Sequence, residues 1–279
     1  MIRYIDAIEA RVSIRTYDPK PLEGEVRRNL EVSCRKAVGP FGNQVRLELL
    51  DLGSVPREEL QKLGTYGVIR GARFFILAAV LKGERAMEDV GFCLEKAILE
   101  ATALGLGTCW LGGTFRRSSF ARQMILVPGE VLPAITPVGY PAERPSLLER
   151  AMRFGAKARQ RKPWEELFFE KEGAPLPKAE AGPYGRVLEA VRQGPSASNK
   201  QPWRIFKEDE GFSLYLAETP RYPGNRVGFK LQLVDMGIAM SHFQLAAQEM
   251  GLRGCWQPLA TPRKGLIPMA HWLPRQEGA

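Results

Sequence analysis

Two histidines and four cysteines are all that this 279-residue chain offers in the way of soft metal ligands. Cys34, Cys93, Cys109 and Cys255 form no C-x-x-C pair, so neither a zinc site nor a disulfide framework is suggested. Cys109 and Cys255 read as small buried residues, with a redox role as the less favoured alternative. Long apolar runs are missing as well. The longest strongly apolar stretch, residues 74–81, is too short to cross a bilayer and reads as a buried strand. The first residues, MIRYIDAIEARVSIR, lack the apolar core of a signal peptide, and a reducing cytoplasm is the expected location. No helix-turn-helix, zinc-finger or RNP pattern accompanies the net charge of +9. That charge suits a nucleic-acid binder or an enzyme for phosphorylated ligands, and the basic residues are spread out apart from one run at residues 150–162. With 44% hydrophobic residues there is ample material for a core, which argues against disorder.

What the chain does contain is a repeat. Residues 89–110 read DVGFCLEKAILEATALGLGTCW, and residues 235–256 read DMGIAMSHFQLAAQEMGLRGCW. Eight of these 22 positions are identical without a gap: Asp, Gly, Leu, Ala, Gly, Leu, Cys and Trp. Both copies carry one helical stripe, in which Val90, Leu94, Ala97, Ala101 and Leu104 correspond to Met236, Met240, Phe243, Ala247 and Met250. Any two amphipathic helices share such a stripe, but not the shared Asp, Gly and Cys-Trp in register. Internal duplication explains both.

Around the repeat, the pattern predicts helices at 4–11 and 22–35, strands at 45–50 and 74–80, an irregular helix at 118–124 and a strand at 134–139. The first half is expected over residues 1–141. A connector rich in Pro, Arg, Lys and Glu covers 142–183, with one short helix at 164–169, and is expected to wrap over the other half. The second, shorter half, 184–279, is predicted to hold a helix at 184–193 and strands at 203–206, 212–216 and 267–272. A turn is expected at the first Cys-Trp. The class is α+β, with the repeat helices central.

Three segments carry candidate chemistry. In Arg11-Val12-Ser13-Ile14-Arg15 the two guanidiniums and a hydroxyl alternate along extended backbone and face one side, a geometry that holds phosphate by forked, charge-assisted hydrogen bonds. A solvated basic strand would look the same. Residues 194–203, GPSASNKQPW, place hydroxyls and amides between two prolines; Asn and Gln amides suit the imide edge of a flat heterocycle, although the composition also fits a turn. Finally, Leu111-Gly112-Gly113, together with Gly139-Tyr140-Pro141, permits close approach of a ligand to the backbone, or is simple turn chemistry.

In this order the segments resemble the FMN-dependent nitroreductase family. The resemblance rests on R-x-S-x-R at 11–15, G-L-G-T-C-W-L-G-G at 105–113, G-Y-P-A-E at 139–143, the basic run Arg159-Gln160-Arg161-Lys162-Pro163, and P-S-x-x-N-x-Q-P-W at 195–203. It implies a nitroreductase-like fold of two duplicated halves, mixed sheets flanked by helices. Family subunits pair as homodimers with two FMN sites at the interface and carry the P-S-x-x-N motif soon after R-x-S-x-R. This chain has Gly39-Pro40-Phe41-Gly42-Asn43-Gln44 at that place, and the intact motif appears only in the second half. The chain thus resembles a fused pseudo-dimer whose surviving motifs add up to one FMN site, so a monomer is expected.

By that resemblance Arg11 and Ser13 bind the FMN phosphate, with Arg159 and Arg161 closing on it. Arg15 approaches the pyrimidine ring; Pro195, Ser196, Ser198, Asn199 and Gln201 reach the flavin from the second half; and Leu111, Gly112 and Gly113 lie near its reactive side through their backbone. Ala197 stands where the family often has serine. The implied activity is hydride transfer from NAD(P)H through FMN to a small aromatic or quinone-type acceptor, with no catalytic side chain and no metal. His242 and His271 are the only histidines, which agrees with this, and His242 is expected to be structural. The alternative is a degenerate protein that binds flavin or another phosphorylated ligand without NAD(P)H turnover. A third reading, nucleic-acid association, rests on charge alone. Neither nucleic acid nor membrane is expected as a partner.

Overall fold

The structure, a computed structural model, describes residues 2–35, 37–55, 68–144, 160–222 and 228–275. Helices α1 (Tyr4–Ala10) and α2 (Gly24–Arg35) precede strands β1 (Val45–Asp51) and β2 (Phe74–Leu81). Helix α3 (Ala86–Ala103), β3 (Gly107–Thr108), α4 (Arg117–Met124) and β4 (Glu130–Gly139) follow. The later half contains β5 (Phe168–Phe169), α5 (Gly185–Arg192), β6 (Trp203–Lys207) and β7 (Phe212–Leu216). It closes with α6 (Leu231–Glu249), β8 (Gly254–Pro258) and β9 (Ile267–Pro274).

The duplication is visible in the topology. One sheet has the order β1-β2-β4-β3 and the other β5-β6-β7-β9-β8. Without β5 the two orders are the same. Each sheet packs on its own repeat helix, and α3 and α6 pack on each other in the most extensive contact between elements. The repeated glycines explain how closely. A Cβ on Gly91 would stand 2.1 Å from the Val234 carbonyl oxygen, and one on Gly237 would stand 1.9 Å from that of Glu88. These two contacts are equivalent under the repeat, so the template glycine is where the helix backbones cross.

Both helices are buried around almost their whole circumference, a wider burial than the single stripe predicts, because each is covered by a sheet, by its twin and by α1 or α5. Strand β2 is likewise covered twice. Phe74, Ile76, Ala78 and Val80 face the main core, and Phe75, Leu77 and Ala79 face a smaller cluster roofed by Phe115, Phe120 and Met124. A strand buried on both faces reads as a continuous apolar run.

Two expectations are corrected. The short connector helix ends early: residues 164–166 form a 3-10 turn, and Phe168–Phe169 instead runs parallel to β6 as an added edge strand. Trp164, Leu167 and Phe168 are spaced as on a helix, yet their burial comes from docking on the second sheet. Cys255, expected to be buried, is only half-buried, because the second Cys-Trp lies in an edge strand, β8, paired with β9. All four cysteines are free, and burial pushes the Cys34 and Cys93 thiols up to about 12, which keeps them inert. Among the described residues, no helix is long and apolar enough to cross a membrane, and no group of three His, Cys, Asp or Glu could hold a metal ion.

Candidate functional site

Arg11 caps α1, its N–H donating to the Ala7 carbonyl at 2.9 Å. Helix α1 is pinned across the central pair: the Ile5 N–H donates to Glu249 Oε2 (2.9 Å) and the Tyr4 hydroxyl to Glu100 Oε1 (2.8 Å). The Arg11 side chain is therefore driven inward and is only 6% exposed; its Nε is 3.9 Å from Glu95 Oε1 and has no hydrogen-bond partner among the described residues. Beyond Arg11 the backbone is extended. Ser13 bridges to Thr108, the Ile14 N–H donates to the Thr108 carbonyl (2.8 Å), and Tyr17 pairs with Pro141. The segments 11–17, 107–113 and 139–142 thus lie side by side. Within this strip, Nε and Nη1 of Arg15 are buried and have no hydrogen-bond partner among the described residues.

The 194–203 segment leaves α5 and folds into a braced loop. Gln201 N–H donates to Ser196 Oγ (2.8 Å), and Asn199 Nδ2 donates to the Gln160 carbonyl (2.9 Å). Gln201 is buried; its Oε1 accepts from the Lys162 N–H (2.9 Å), and its Nε2 donates to Asn199 Oδ1 (3.1 Å). Ser198 is exposed beside Tyr222, the two hydroxyls 3.1 Å apart, and Pro195 is half-buried. The amides expected to reach a ligand are in this state bonded within the loop and to the connector. Three non-glycine residues, Ser198, Asn199 and Gln201, have φ of 52°, 54° and 45°. Left-handed backbone costs of order 1 kcal/mol or more at each such residue and clusters at ligand sites. From α6, Asp235 Oδ1 accepts the Ala197 N–H at 2.9 Å.

The connector supplies the last cation. Arg161 Nε and Nη2 donate to the Gln193 carbonyl (3.2 and 3.0 Å). Its pKa is pushed down to about 10, first by burial and then by the positive charges of Arg11 and Arg192. Arg11 from the first half, Arg161 from the connector and Arg192 from the second half therefore gather where they repel one another. Such a cluster, with buried N–H groups on Arg11 and Arg15 unanswered, fits a bound anion. Arg159 lies outside the described residues, as does the basic run up to it.

A buried carboxylate ties the segments together. Glu95, fully buried on α3, accepts the Trp110 indole N–H on Oε2 (2.5 Å) and faces His242 Nε2 with Oε1 (2.8 Å). His242 Nδ1 donates to the Ala190 carbonyl (2.8 Å) at the end of α5, so His242 is structural, as expected. Leu111 narrows the expectation for its segment. Its N–H and carbonyl pair with Ile135, and its side chain joins the outer apolar cluster. The Gly112 carbonyl accepts from Arg117, which leaves the Gly112 and Gly113 N–H groups as the donors of this stretch. A Cβ on Gly112 would stand 3.0 Å from the Leu231 side chain, so this stretch borders the start of α6. A separate groove of about 630 Å³ lies between α1, α2 and α3 and is lined by none of the motif residues.

The family described as "Putative TM nitroreductase" matches residues 3–247. The chain belongs to this nitroreductase family. The crystal structure of a "putative nitroreductase" from Thermotoga maritima is 23% identical, covers 98% of this chain and 94% of its own, and superposes with a TM-score of 0.62, which supports the fold. A "putative nitroreductase in complex with FMN" from Desulfovibrio desulfuricans is 24% identical, with 60% of this chain and 95% of its own covered and a TM-score of 0.45. No curated protein matches by sequence.

In this member of the family four residues of the site's surroundings were not singled out from the sequence. Arg192 and Glu95 carried no motif. Trp110 stood inside a motif and at the end of the repeat but was given no role of its own. Asp235 carried the clearest available signal, identity with Asp89 at the head of both repeats.

Proposed function

We propose that the chain is an FMN-dependent NAD(P)H oxidoreductase that reduces a small aromatic or quinone-type acceptor. One observation carries the reading: the guanidiniums of Arg11 from the first half and Arg161 from the connector gather beside a strained loop of the second half, and among the described residues buried N–H groups of Arg11 and of Arg15, four positions on, have no hydrogen-bond partner. Arg11, Arg161 and the Ser13 hydroxyl would hold the phosphate. Arg15 would stand at the ring as a fixed positive charge, with residues 196–201 and the Gly112 and Gly113 N–H groups around it. FMN, when bound, supplies the hydride-transfer chemistry. The protein's own part would be to bind and orient. The family and the internal pairing of the two halves support one complete site in a monomer.

A visible spectrum tests this. The purified or FMN-reconstituted protein should absorb near about 450 nm and bleach on addition of NAD(P)H under anaerobic conditions. Bound flavin that fails to bleach would favour a binding protein without turnover, and no flavin uptake would sink the reading. Arg11→Ala should weaken FMN binding by about 1.5–3 kcal/mol, the range for a hydrogen bond to a charged group, and riboflavin binding much less. Equal losses for both ligands would place Arg11 away from the phosphate.

A further inference from the structure

We infer that Asp235 is the positioning residue of the proposed flavin loop, and that Asp89 is its duplicate, kept by a half whose loop no longer serves a site. The inference rests on the flavin reading above and adds a residue that no motif of the resemblance contains. Both aspartates stand at the first position of the repeat template, on the central helices. Each accepts backbone N–H from the loop that follows a Gly-Pro, which leads into β1 in the first half and β6 in the second. Asp89 takes the N–H groups of Phe41 (3.0 Å) and Asn43 (2.9 Å) and the Asn43 side-chain amide (2.9 Å). Asp235 takes the Ala197 N–H (2.9 Å).

The two loops differ in what they ask of the anchor. In the first, the residue with positive φ is Gly42, for which that conformation carries no penalty, and both oxygens of Asp89 are bonded. In the second, Ser198, Asn199 and Gln201 are held left-handed just after the anchored Ala197. Such backbone persists only where its surroundings over-determine it. Asp235 is also less well satisfied: the residue is 3% exposed, and its Oδ2 has no hydrogen-bond partner among the described residues. A purely structural aspartate would be expected to look like Asp89. Asp235 instead leaves one oxygen without a partner among the described residues while it anchors a loop of strained backbone. Without that hold, the binding-competent loop is populated less and apparent affinity falls by the same fraction.

The test is a matched set: wild type, Asp235→Ala, Asp235→Asn and Asp89→Ala. FMN titration of the apoproteins, the visible circular dichroism of bound flavin, thermal unfolding and amide exchange of residues 197–201 are measured on each. Asp235→Ala should raise the FMN dissociation constant about tenfold or more, alter the flavin dichroism and speed exchange at Ala197, with a smaller loss of melting temperature than in Asp89→Ala. Asp235→Asn keeps an acceptor oxygen and should restore most of the affinity. Asp89→Ala, which strands three donors, should lower the melting temperature and leave FMN affinity within about twofold. Wild-type affinity and dichroism in Asp235→Ala, or equal affinity losses in both alanine variants, would overturn the inference while leaving the flavin site standing. Should the wild type take up no flavin, the flavin reading itself falls; unchanged exchange at Ala197 in both Asp235 variants would then reject the anchor as well.

Discussion

Arg11 and Arg161 approach one another although both are cations, and Asp235 is buried with one oxygen that has no hydrogen-bond partner among the described residues. Each arrangement opposes folding, and each lies at the proposed site. For Asp235 the consequence is measurable. Burial raises its pKa from 3.8 to about 8, with the Ala197 N–H acting against the rise. The unfolded chain loses this proton above 3.8, whereas the folded protein keeps it to about 8, so between those values the folded state binds more protons. Its contribution must make stability fall as pH rises through that window and level off above it. Urea unfolding at about pH 5, 7 and 9 should therefore show the wild type losing stability relative to Asp235→Asn up to about pH 8. Parallel pH profiles would mean that Asp235 ionises normally. Of the residue-scale features, the cations of R-x-S-x-R were legible because their spacing is local. The link from Glu95 to His242 was not, since it joins positions on different helices that only tertiary packing brings together.

At the scale of elements, the repeat made the two central helices legible, and its shared glycine now has a cause in their crossing. Replacing Gly237 by alanine would ordinarily help a helix by roughly 1 kcal/mol. Here the added Cβ would stand 1.9 Å from the Glu88 carbonyl oxygen, a backbone atom that cannot swing away. Overpacking of this kind costs about 1–3 kcal/mol or more and outweighs the propensity gain. Gly237→Ala should lower the unfolding midpoint, whereas Gly113→Ala, with nothing within 4 Å of the new Cβ, should leave it nearly unchanged. A stabilised Gly237→Ala would show that the helices are further apart than described. Strand β8 escaped notice because it is short, begins at Gly254, ends at Pro258 and lies at a sheet edge, where alternation is weak. The edge strand β5 was masked by a helical spacing of apolar residues that serves docking instead.

At the scale of the molecule, the two halves share a strand order but not their inventories. Helix α1 and the Arg11–Arg15 segment stand before α2, whereas the sequence carries no second R-x-S-x-R before α5, the element that occupies the corresponding place before the second Gly-Pro loop. The first half's loop is also shorter: five steps separate Pro40 from Val45, whereas eight separate Pro195 from Trp203. Its space is taken by protein. The Arg85 guanidinium sits 4.9 Å from the Phe41 ring centroid, and its Nη1 donates to the Met269 carbonyl at 2.5 Å, joining the first half's loop to the second sheet. A second flavin would have to displace this contact and would find no counterpart of Arg11 to receive its phosphate. On the proposed reading, the cation cluster and the strained loop among the described residues meet at one place. Titration of the apoprotein with FMN should saturate at one equivalent per chain, and Phe41→Ala should leave that stoichiometry unchanged. Removing a side chain opens space, but it does not restore the guanidiniums on which phosphate affinity depends. Two equivalents in the wild type would mean that the site does not require R-x-S-x-R, and the assignment of Arg11 and Arg15 would fall with the count.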